Sequence, residues 1–349
     1  MNIGDLSITN FYVGDIQADK ICLGAEQVWP NTPPGPDYAS MYLTVEIISG
    51  DTLEISNSGI SYSVNDGPWI QVPSTTSART GYLLSVSVGD KIRFKGNQAT
   101  QNAFYRYSRS ANCIYDVYGN ILSLEYGDNF IGQTQFLTTY RPCYGTFRNQ
   151  TDYHLNAGAR SAEHLILPPT VVEGCYRSMF QNSNSLIKAP VLPATTLATG
   201  CYFNMFGGCT GLTDAPELPA TALANECYYE MFKACTSLTT APELPVTTLM
   251  SSCYTYMFSG CSSLITAPEL PAETLVSNCY MGMFGGCSSL NYIKCLATNP
   301  SSQTGSANPY TFRWVVDAGD GTGTFVKHPD ATWPSGDNGI PEGWTVVDA

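Results

Sequence analysis

Cys201-Tyr202-Phe203-Asn204-Met205-Phe206 is one copy of a six-residue block, Cys-Tyr-x-x-Met-Phe, that indicates the architecture of this chain. The block recurs every 26 residues and begins at Cys175, Cys201, Cys227, Cys253 and Cys279. A fixed period of about 20–50 residues is typical of solenoid proteins, in which each unit buries its apolar face only by stacking on its neighbours. The repeat therefore predicts a solenoid, and it favours a binding or structural protein over an enzyme.

One repeat, residues 197–219, is predicted to contain a short helix and an extended segment. Its apolar residues include Leu197, Cys201, Met205, Cys209 and Leu212. Their spacings of four, four, four and three indicate one apolar stripe along a helix. Pro216 and Pro219 exclude a helix from the next stretch. Residues 215–219 are therefore predicted to be an extended rung.

The cysteines follow the repeat. Nine of the 13 occupy two fixed positions: Cys175, Cys201, Cys227, Cys253 and Cys279 at the first, and Cys209, Cys235, Cys261 and Cys287 at the second. Ser183 takes the second position in the first repeat, which is typical of a small packing residue. Disulfides between rungs would rarely meet the required geometry, and the sequence has no Cys-x-x-Cys zinc cluster. We therefore expect reduced thiols buried in two ladders.

Length and composition set the class of the protein. At 349 residues the chain is expected to form two or three domains. Its 31 glycines and 22 prolines, with 12% aromatic and 13% charged residues, favour a β-rich, turn-rich protein. The formal net charge of −13 argues against nucleic acid or an anionic membrane surface as partner, since both require basic patches.

The first 37 residues are predicted to be an arm and a linker. Residues 1–30 contain three aspartates and no apolar run of signal-peptide length, so we expect synthesis and folding in a cytoplasm. Ile21 and Leu23 before Gly24, with Val28 and Trp29 after it, predict a hairpin. The Pro-rich residues 31–37 form a stiff linker. We interpret the arm as an anchor on a neighbouring subunit or larger particle; the alternative is packing on the chain's own second domain.

Residues 40–155 alternate in the manner of strands and predict an antiparallel β-sandwich. The first strand is predicted at 42–47. Residues 61–64 and 69–72 flank Asn65-Asp66-Gly67-Pro68 and predict a hairpin. Residues 83–88 and 91–94 around Gly89-Asp90 predict a second hairpin.

Against this background, the repeats resemble a known family. His164–Val171, followed by Met179-Phe180 and Leu186, is similar to the leucine-rich repeats of BspA-like bacterial surface proteins. The later units, Ala-Pro-Glu-Leu-Pro-Ala-x-Thr-Leu-x-x-x-Cys-Tyr-x-x-Met-Phe, resemble the form found in gut Bacteroidales and their crAss-like phages. Residues 118–130 and the tail motifs at 322–326 and 339–346 resemble the segments that flank such repeats. The resemblance covers about residues 162–298.

The predicted fold class is therefore mixed β and α/β solenoid. It consists of an anchoring arm and linker (1–39), a β-sandwich (40–160), a leucine-rich repeat solenoid of 26-residue units (161–298) and a C-terminal cap (299–349). The cap is expected because an open solenoid end would expose an apolar cross-section.

Motifs for catalysis and cofactor binding are missing from the sequence. His154, His164 and His328 belong to no nucleophile motif, and no metalloprotease, serine-hydrolase or phosphate-loop signature occurs. Gly319-Asp320-Gly321-Thr322-Gly323 lacks the strand and helix of a phosphate loop and is interpreted as a turn. We therefore predict no catalytic residue, no cofactor and no metal site.

Two side-chain ladders leave alternatives open. Glu217, Glu243 and Glu269 share one rung position, where the first repeat has Val191. They form either a solvated stripe or a surface for a cation or a basic partner. The second ladder consists of Tyr202, Tyr228, Tyr254 and Tyr280. We favour semi-buried packing for it over a glycan-stacking platform.

The positions that vary between repeats give the candidate partner-binding face. They are Thr213, Asp214, Glu217, Thr239, Thr240, Glu243, Ile265, Thr266 and Glu269. Packing explains the constant residues, so specificity is expected among the variable ones.

The resemblance implies a non-enzymatic phage virion structural protein, such as a head fibre, capsid decoration or tail appendage. Such a protein would be exposed on the virion surface, bind other virion proteins through its arm, form a homo-oligomer and contact a host surface protein or glycan. Neither nucleic acid nor membrane is an expected partner. A BspA-like adhesin on the bacterial cell surface is the first alternative, and a carbohydrate-active virion enzyme is the second.

Overall fold

A computed structural model describes residues 36–56, 59–73, 81–96, 111–149, 158–300 and 310–349, together with the backbone of six short strands nearer the amino terminus. The chain is mostly β-structure, and none of the several sheets formed by the described residues is closed. Its compact units are residues 1–37 and residues 38–349. The buried apolar residues of the second unit form one continuous core. The domain boundaries predicted inside that unit stay predictions.

The first unit contains three antiparallel hairpins. Their strands are β1 (Asn2–Ile3), β2 (Leu6–Ser7), β3 (Tyr12–Val13), β4 (Ile16–Gln17), β5 (Ile21–Leu23) and β6 (Glu26–Trp29). The pairs are β1–β2, β3–β4 and β5–β6, each a separate two-stranded sheet. The hairpin predicted around Gly24 is confirmed by β5 and β6, and the other two were not predicted from the sequence.

The second unit begins with a seven-stranded sheet in the order β10-β9-β12-β7-β13-β14, with β15 also paired to β13. The strands of this region are β7 (Leu43–Ser49), β8 (Thr52–Ile55), β9 (Ile60–Val64), β10 (Ile70–Gln71), β11 (Tyr82–Ser85), β12 (Lys91–Gly96), β13 (Ile114–Asn120), β14 (Gly158–Ser161) and β15 (Leu165–Ile166). The short helices are η1 (Tyr38–Ser40), α1 (Ser123–Tyr126) and η2 (Gly127–Asn129). The sheet is antiparallel except where β14 and β15 pair with β13.

One of the two predicted hairpins is confirmed and the other is wrong. Strands β9 and β10 pair around Asn65 and Asp66, which have positive φ as the turn requires. Strand β11 pairs instead with β8, because β12 fills the space between β7 and β9 and has no free edge. Ile92 and Phe94 of β12 are fully buried there.

The first half of each repeat is a run of turns, so the predicted helix is wrong. In the second repeat, Gly200, Asn204 and Gly208 have φ values of 57°, 52° and 76°, which an α-helix does not allow. The same three positions have positive φ in the other repeats: Gly174, Ser178 and Asn182; Glu226, Glu230 and Ala234; Ser252, Tyr256 and Gly260; Asn278, Gly282 and Gly286. A conformation that repeats every four residues explains the strict spacing of four in the apolar stripe.

Hydrogen bonds alternate along this turn run. The Phe203 and Met205 N–H groups donate within the run, to the carbonyl three residues earlier, at 3.1 and 3.2 Å. The Tyr202 and Asn204 N–H groups donate to the next repeat, to Cys227 at 3.0 Å and to Tyr229 at 2.7 Å. Alternate N–H groups therefore close the turns and join the repeats.

Two further turn runs, which lack the sequence signature, lie at the ends of the stack. At one end, Arg141 and Gly145 have positive φ, and the Phe147 N–H donates to the Met179 carbonyl at 2.8 Å. At the other end, residues 310–318 accept hydrogen bonds from the fifth repeat, including one from the Phe284 N–H to Trp314 at 2.7 Å. The stack of turn runs therefore extends beyond the five signature blocks.

The proline-containing segments between the turn runs form isolated parallel bridges. These join Thr196 to Ala222, Asp214 to Thr240, Thr266 to Tyr292 and Leu270 to Cys295. Towards the C-terminus they become a regular parallel sheet of β16 (Tyr292–Cys295), β17 (Thr324–Lys327) and β18 (Thr345–Asp348). Each repeat therefore has a turn side and a proline side.

Tryptophans cover the C-terminal end of the stack. Trp314 is fully buried; its ring lies 5.2 Å from that of Trp333 and 6.1 Å from that of Phe325. Its indole Nε1 donates to the Gly339 carbonyl at 2.7 Å. These contacts shield the aromatic end of the last signature repeat from water.

Candidate recognition surface

The second cysteine ladder packs inside the stack and also makes directed hydrogen bonds. The thiols donate to the phenylalanine carbonyl of the preceding repeat at 3.0–3.1 Å: Cys209 to Phe180, Cys235 to Phe206, Cys261 to Phe232 and Cys287 to Phe258. The Ser183 hydroxyl makes the equivalent bond to Phe147 at 2.9 Å. Serine and cysteine are interchangeable here because both are small donors.

All nine repeat cysteines are buried and unpaired, as the sequence predicted. Burial raises the pKa of the Cys235 and Cys287 thiols to about 12. A thiol with so high a pKa stays protonated at neutral pH, which leaves little of the nucleophilic thiolate. The two ladders are part of the core.

The tyrosine ladder belongs to the core as well. Tyr176, Tyr202, Tyr228, Tyr254 and Tyr280 are at most 2% exposed. Their rings stack at 5.5–6.1 Å, with interplanar angles of 5–19°. Rings buried in this way cannot stack on a sugar, so the glycan-platform alternative for this ladder is wrong, and the burial is more complete than the semi-buried packing that we favoured.

The nine residues of the candidate face are all exposed on the proline side. They are Thr213, Asp214, Glu217, Thr239, Thr240, Glu243, Ile265, Thr266 and Glu269. Neighbouring repeats meet here through the bridge between Asp214 and Thr240 and through the Thr239 N–H, which donates to the Thr213 carbonyl at 3.0 Å. The variable positions therefore share one surface, while the constant framework lies beneath it.

The three glutamates of this face differ in their surroundings. Lys294 of β16 binds Glu269, with 2.8 Å between Nζ and Oε1. That hydrogen bond raises the pKa of Lys294. Glu217 and Glu243 form no ion pair with any described residue. An open groove beside Glu243 is lined by Pro242, Glu243, Leu244, Pro268, Glu269 and Pro271.

A second variable surface, missed by the sequence analysis, lies on the turn side. The Arg177 guanidinium carbon lies 3.6 Å from the centre of the Phe203 ring, which stacks on Tyr229 at 4.4 Å. Tyr256 contacts Tyr229 edge to face at 6.1 Å. Neighbouring side chains therefore cover both faces of the Phe203 ring. The signal was in the two variable residues of Cys-Tyr-x-x-Met-Phe, of which Phe203, Tyr229 and Tyr256 are only partly buried.

The two described histidines contact neighbouring residues. His164 stacks on Tyr38 at 4.4 Å, and the His328 Nδ1 accepts a hydrogen bond from the Asp330 N–H at 3.2 Å. His154 lies outside the described residues. Within the described ranges, no three His, Cys, Asp or Glu side chains are placed to hold a metal ion. In the predicted turn at 319–323, the Asp320 carboxylate accepts hydrogen bonds from Thr322.

Comparison with family models, with curated proteins and with solved structures found no match to this chain. Across the residues that the structure describes, no helix has the length and apolar character needed to cross a membrane.

Proposed function

We propose that this chain is a non-enzymatic virion structural protein that displays a leucine-rich-repeat solenoid for recognition of a host protein or glycan. The observation that supports this most is the division of each repeat. Its constant Cys, Tyr, Met and Phe residues are buried, whereas the variable residues of its proline side are exposed along one surface. Stacked repeats of this kind provide extended binding surfaces.

The virion assignment rests on the resemblance to repeats of Bacteroidales surface proteins and their phages. A head fibre, a capsid decoration or a tail appendage would each use the arm as its anchor. The three separate hairpins support that role, because a two-stranded hairpin alone is marginally stable in water. We expect partner subunits to complete these hairpins in a homo-oligomer on the particle surface.

Deletion of residues 1–30 tests the anchor. We expect residues 38–349 to stay folded, with an unchanged thermal midpoint, while the protein disappears from purified particles analysed by mass spectrometry. A truncated protein that still enters particles would contradict the anchor. Detection on intact bacterial cells that carry no phage would instead favour the cell-surface adhesin.

Combined replacement of Glu217, Glu243 and Glu269 by lysine tests recognition. We expect the protein to fold and the particles to assemble, but adsorption to host cells to change. Several copies on one particle would amplify a weak contact at each site. Unchanged adsorption would leave the repeats as a spacer or a decoration.

A further inference from the structure

The proline side of the stack contains an open groove beside Glu243 of the candidate face. It lies between residues 241–245 and residues 268–271. Four prolines, Ala241 and Leu244 line it together with the exposed Glu243 and Glu269. The groove therefore combines an apolar lining with carboxylates.

The groove is open because the two segments do not pair. Prolines 242, 245, 268 and 271 have no N–H to donate. In the described part of the chain, no backbone hydrogen bond joins residues 241–245 to residues 267–271. Residues 267–271 instead form hydrogen bonds with β16 on their other side. For example, the Ala267 N–H donates to the Tyr292 carbonyl at 3.0 Å. Among the described residues, none forms a backbone hydrogen bond with residues 241–245, so the backbone of this segment is open to a ligand.

Charge in the groove is unequally compensated. Lys294 already neutralises Glu269, with 2.8 Å between Nζ and Oε1. Glu243 is exposed and has no ion-pair partner among the described residues. The whole chain has a net charge of −13, which opposes an anionic ligand. One carboxylate is therefore free to attract a cationic group.

We propose that this groove binds an extended peptide segment bearing a lysine or arginine, from a protein on the host surface. The aliphatic part of the cationic side chain packs on the proline rings, and its charged end pairs with Glu243. The peptide backbone lies along the segment at 241–245. This inference rests on the proposed recognition function and names the class of its partner.

Other ligands fit the groove less well. A glycan needs exposed aromatic faces for stacking, and none of the lining residues is aromatic. A metal ion needs several oxygen ligands, and within the described residues no cluster of three suitable side chains exists. A peptide uses both the apolar wall and the single free carboxylate.

The test uses the full chain and two fluorescein-labelled hexapeptides, one of alternating valine and lysine and one of alternating valine and glutamate. Fluorescence anisotropy should show saturable binding of the lysine peptide only. Its affinity should fall when NaCl is raised from about 0.05 to about 0.3 M, because salt screens exposed charges. Equal binding of both peptides, or binding of neither, would overturn the proposal.

Two variants locate the site. Glu243→Gln should weaken binding of the lysine peptide about two- to fivefold, the range expected for one exposed ion pair. Lys294→Gln should strengthen binding by a similar factor, because it releases Glu269. Glu342→Gln removes an equal charge from an exposed position elsewhere and should leave binding unchanged. If Glu243→Gln and Glu342→Gln behave alike, or if Lys294→Gln weakens binding, the groove is not the site.

Adsorption separates this inference from the proposed function. If the lysine peptide does not bind but the purified chain still competes with particles for host cells, recognition stands and the peptide groove fails. If neither occurs, both fail.

Discussion

The turn side and the proline side of each repeat contain similar numbers of residues but are held together in different ways. On the turn side, alternate N–H groups reach the next repeat, and the Cys, Tyr, Met and Phe side chains beneath them are fully buried. On the proline side, contacts between repeats are isolated bridges and the variable residues are exposed. Stability is therefore concentrated on one side, which leaves the other free to vary.

The largest expected effect is the loss of stability at alkaline pH. Burial raises the pKa of Cys287 from its ordinary value of 9.0 to about 12, and that of the other repeat thiols as well. The unfolded chain loses these protons first, so stability is complete below about pH 9 and falls as pH rises towards 12. Each thiol contributes about 1.4 kcal/mol per pH unit.

Urea denaturation at several pH values between about 8 and about 11 measures how the free energy of unfolding depends on pH. Cys287→Ser removes one thiol and should make the slope shallower by about 1.4 kcal/mol per pH unit. A free energy of unfolding that stays constant up to pH 11 would mean that the thiols are not buried.

The second prediction places a charge in the same ladder. Cys235→Asp should lower the free energy of unfolding by about 3–5 kcal/mol, because it leaves an unpaired carboxylate beside the Phe206 carbonyl. Cys235→Ser is the matched control and should cost within about 1 kcal/mol, because serine can make the bond that Ser183 makes to Phe147. Equal costs for the two variants would exclude a buried hydrogen-bonding ladder.

The turn side also explains which parts of the fold could be predicted. The period of 26 and the identity of the buried residues came from the blocks themselves, and burial follows from apolar character in either a helix or a turn run. The helix was wrong because a stripe spaced four, four and four differs little from a helical one over three steps. Glu226, Glu230 and Ala234 gave no warning, because their side chains rarely adopt positive φ.

The terminal turn runs were beyond sequence reasoning for a different reason. Pro142 and Cys143 occupy the places of Cys175 and Tyr176, and Trp314 replaces a methionine, so no block is recognisable. Backbone hydrogen bonds, which do not depend on side-chain identity, continue the stack there.

On the proline side, the nine candidate residues were predicted from their variation alone. The groove was not predicted from the sequence, because it depends on the absence of backbone hydrogen bonds between residues 241–245 and residues 267–271.

The third prediction concerns two glycines of the turn run. Both have positive φ, 61° at Gly282 and 75° at Gly286, so alanine strains either position by about 1–2 kcal/mol. A Cβ at Gly282 would also overlap the Tyr256 ring, whereas one at Gly286 would lie at ordinary contact distance from Gly260. Gly282→Ala should therefore cost more than Gly286→Ala.

Thermal or urea unfolding of Gly282→Ala and Gly286→Ala measures the difference between their free energies of unfolding. In a Tyr256→Ala background the overlap is removed, so the extra cost of Gly282→Ala should disappear. If the extra cost persists, the Tyr256 ring is not its cause. The packing between the turn runs that contain Tyr256 and Gly282 then differs from that described above.

The smallest effects on stability are expected on the proline side. Glu217→Lys and Glu243→Lys should change the free energy of unfolding by no more than about 0.5 kcal/mol, because both carboxylates are exposed and unpaired among the described residues. Glu269→Lys should cost up to about 1 kcal/mol, because it replaces an exposed ion pair with two like charges at Lys294. Added salt should reduce only the stability cost of Glu269→Lys, because salt screens exposed charges. Costs of several kcal/mol at Glu217 or Glu243 would show that the proline side carries stability too, and its residues would then be less free to vary for recognition.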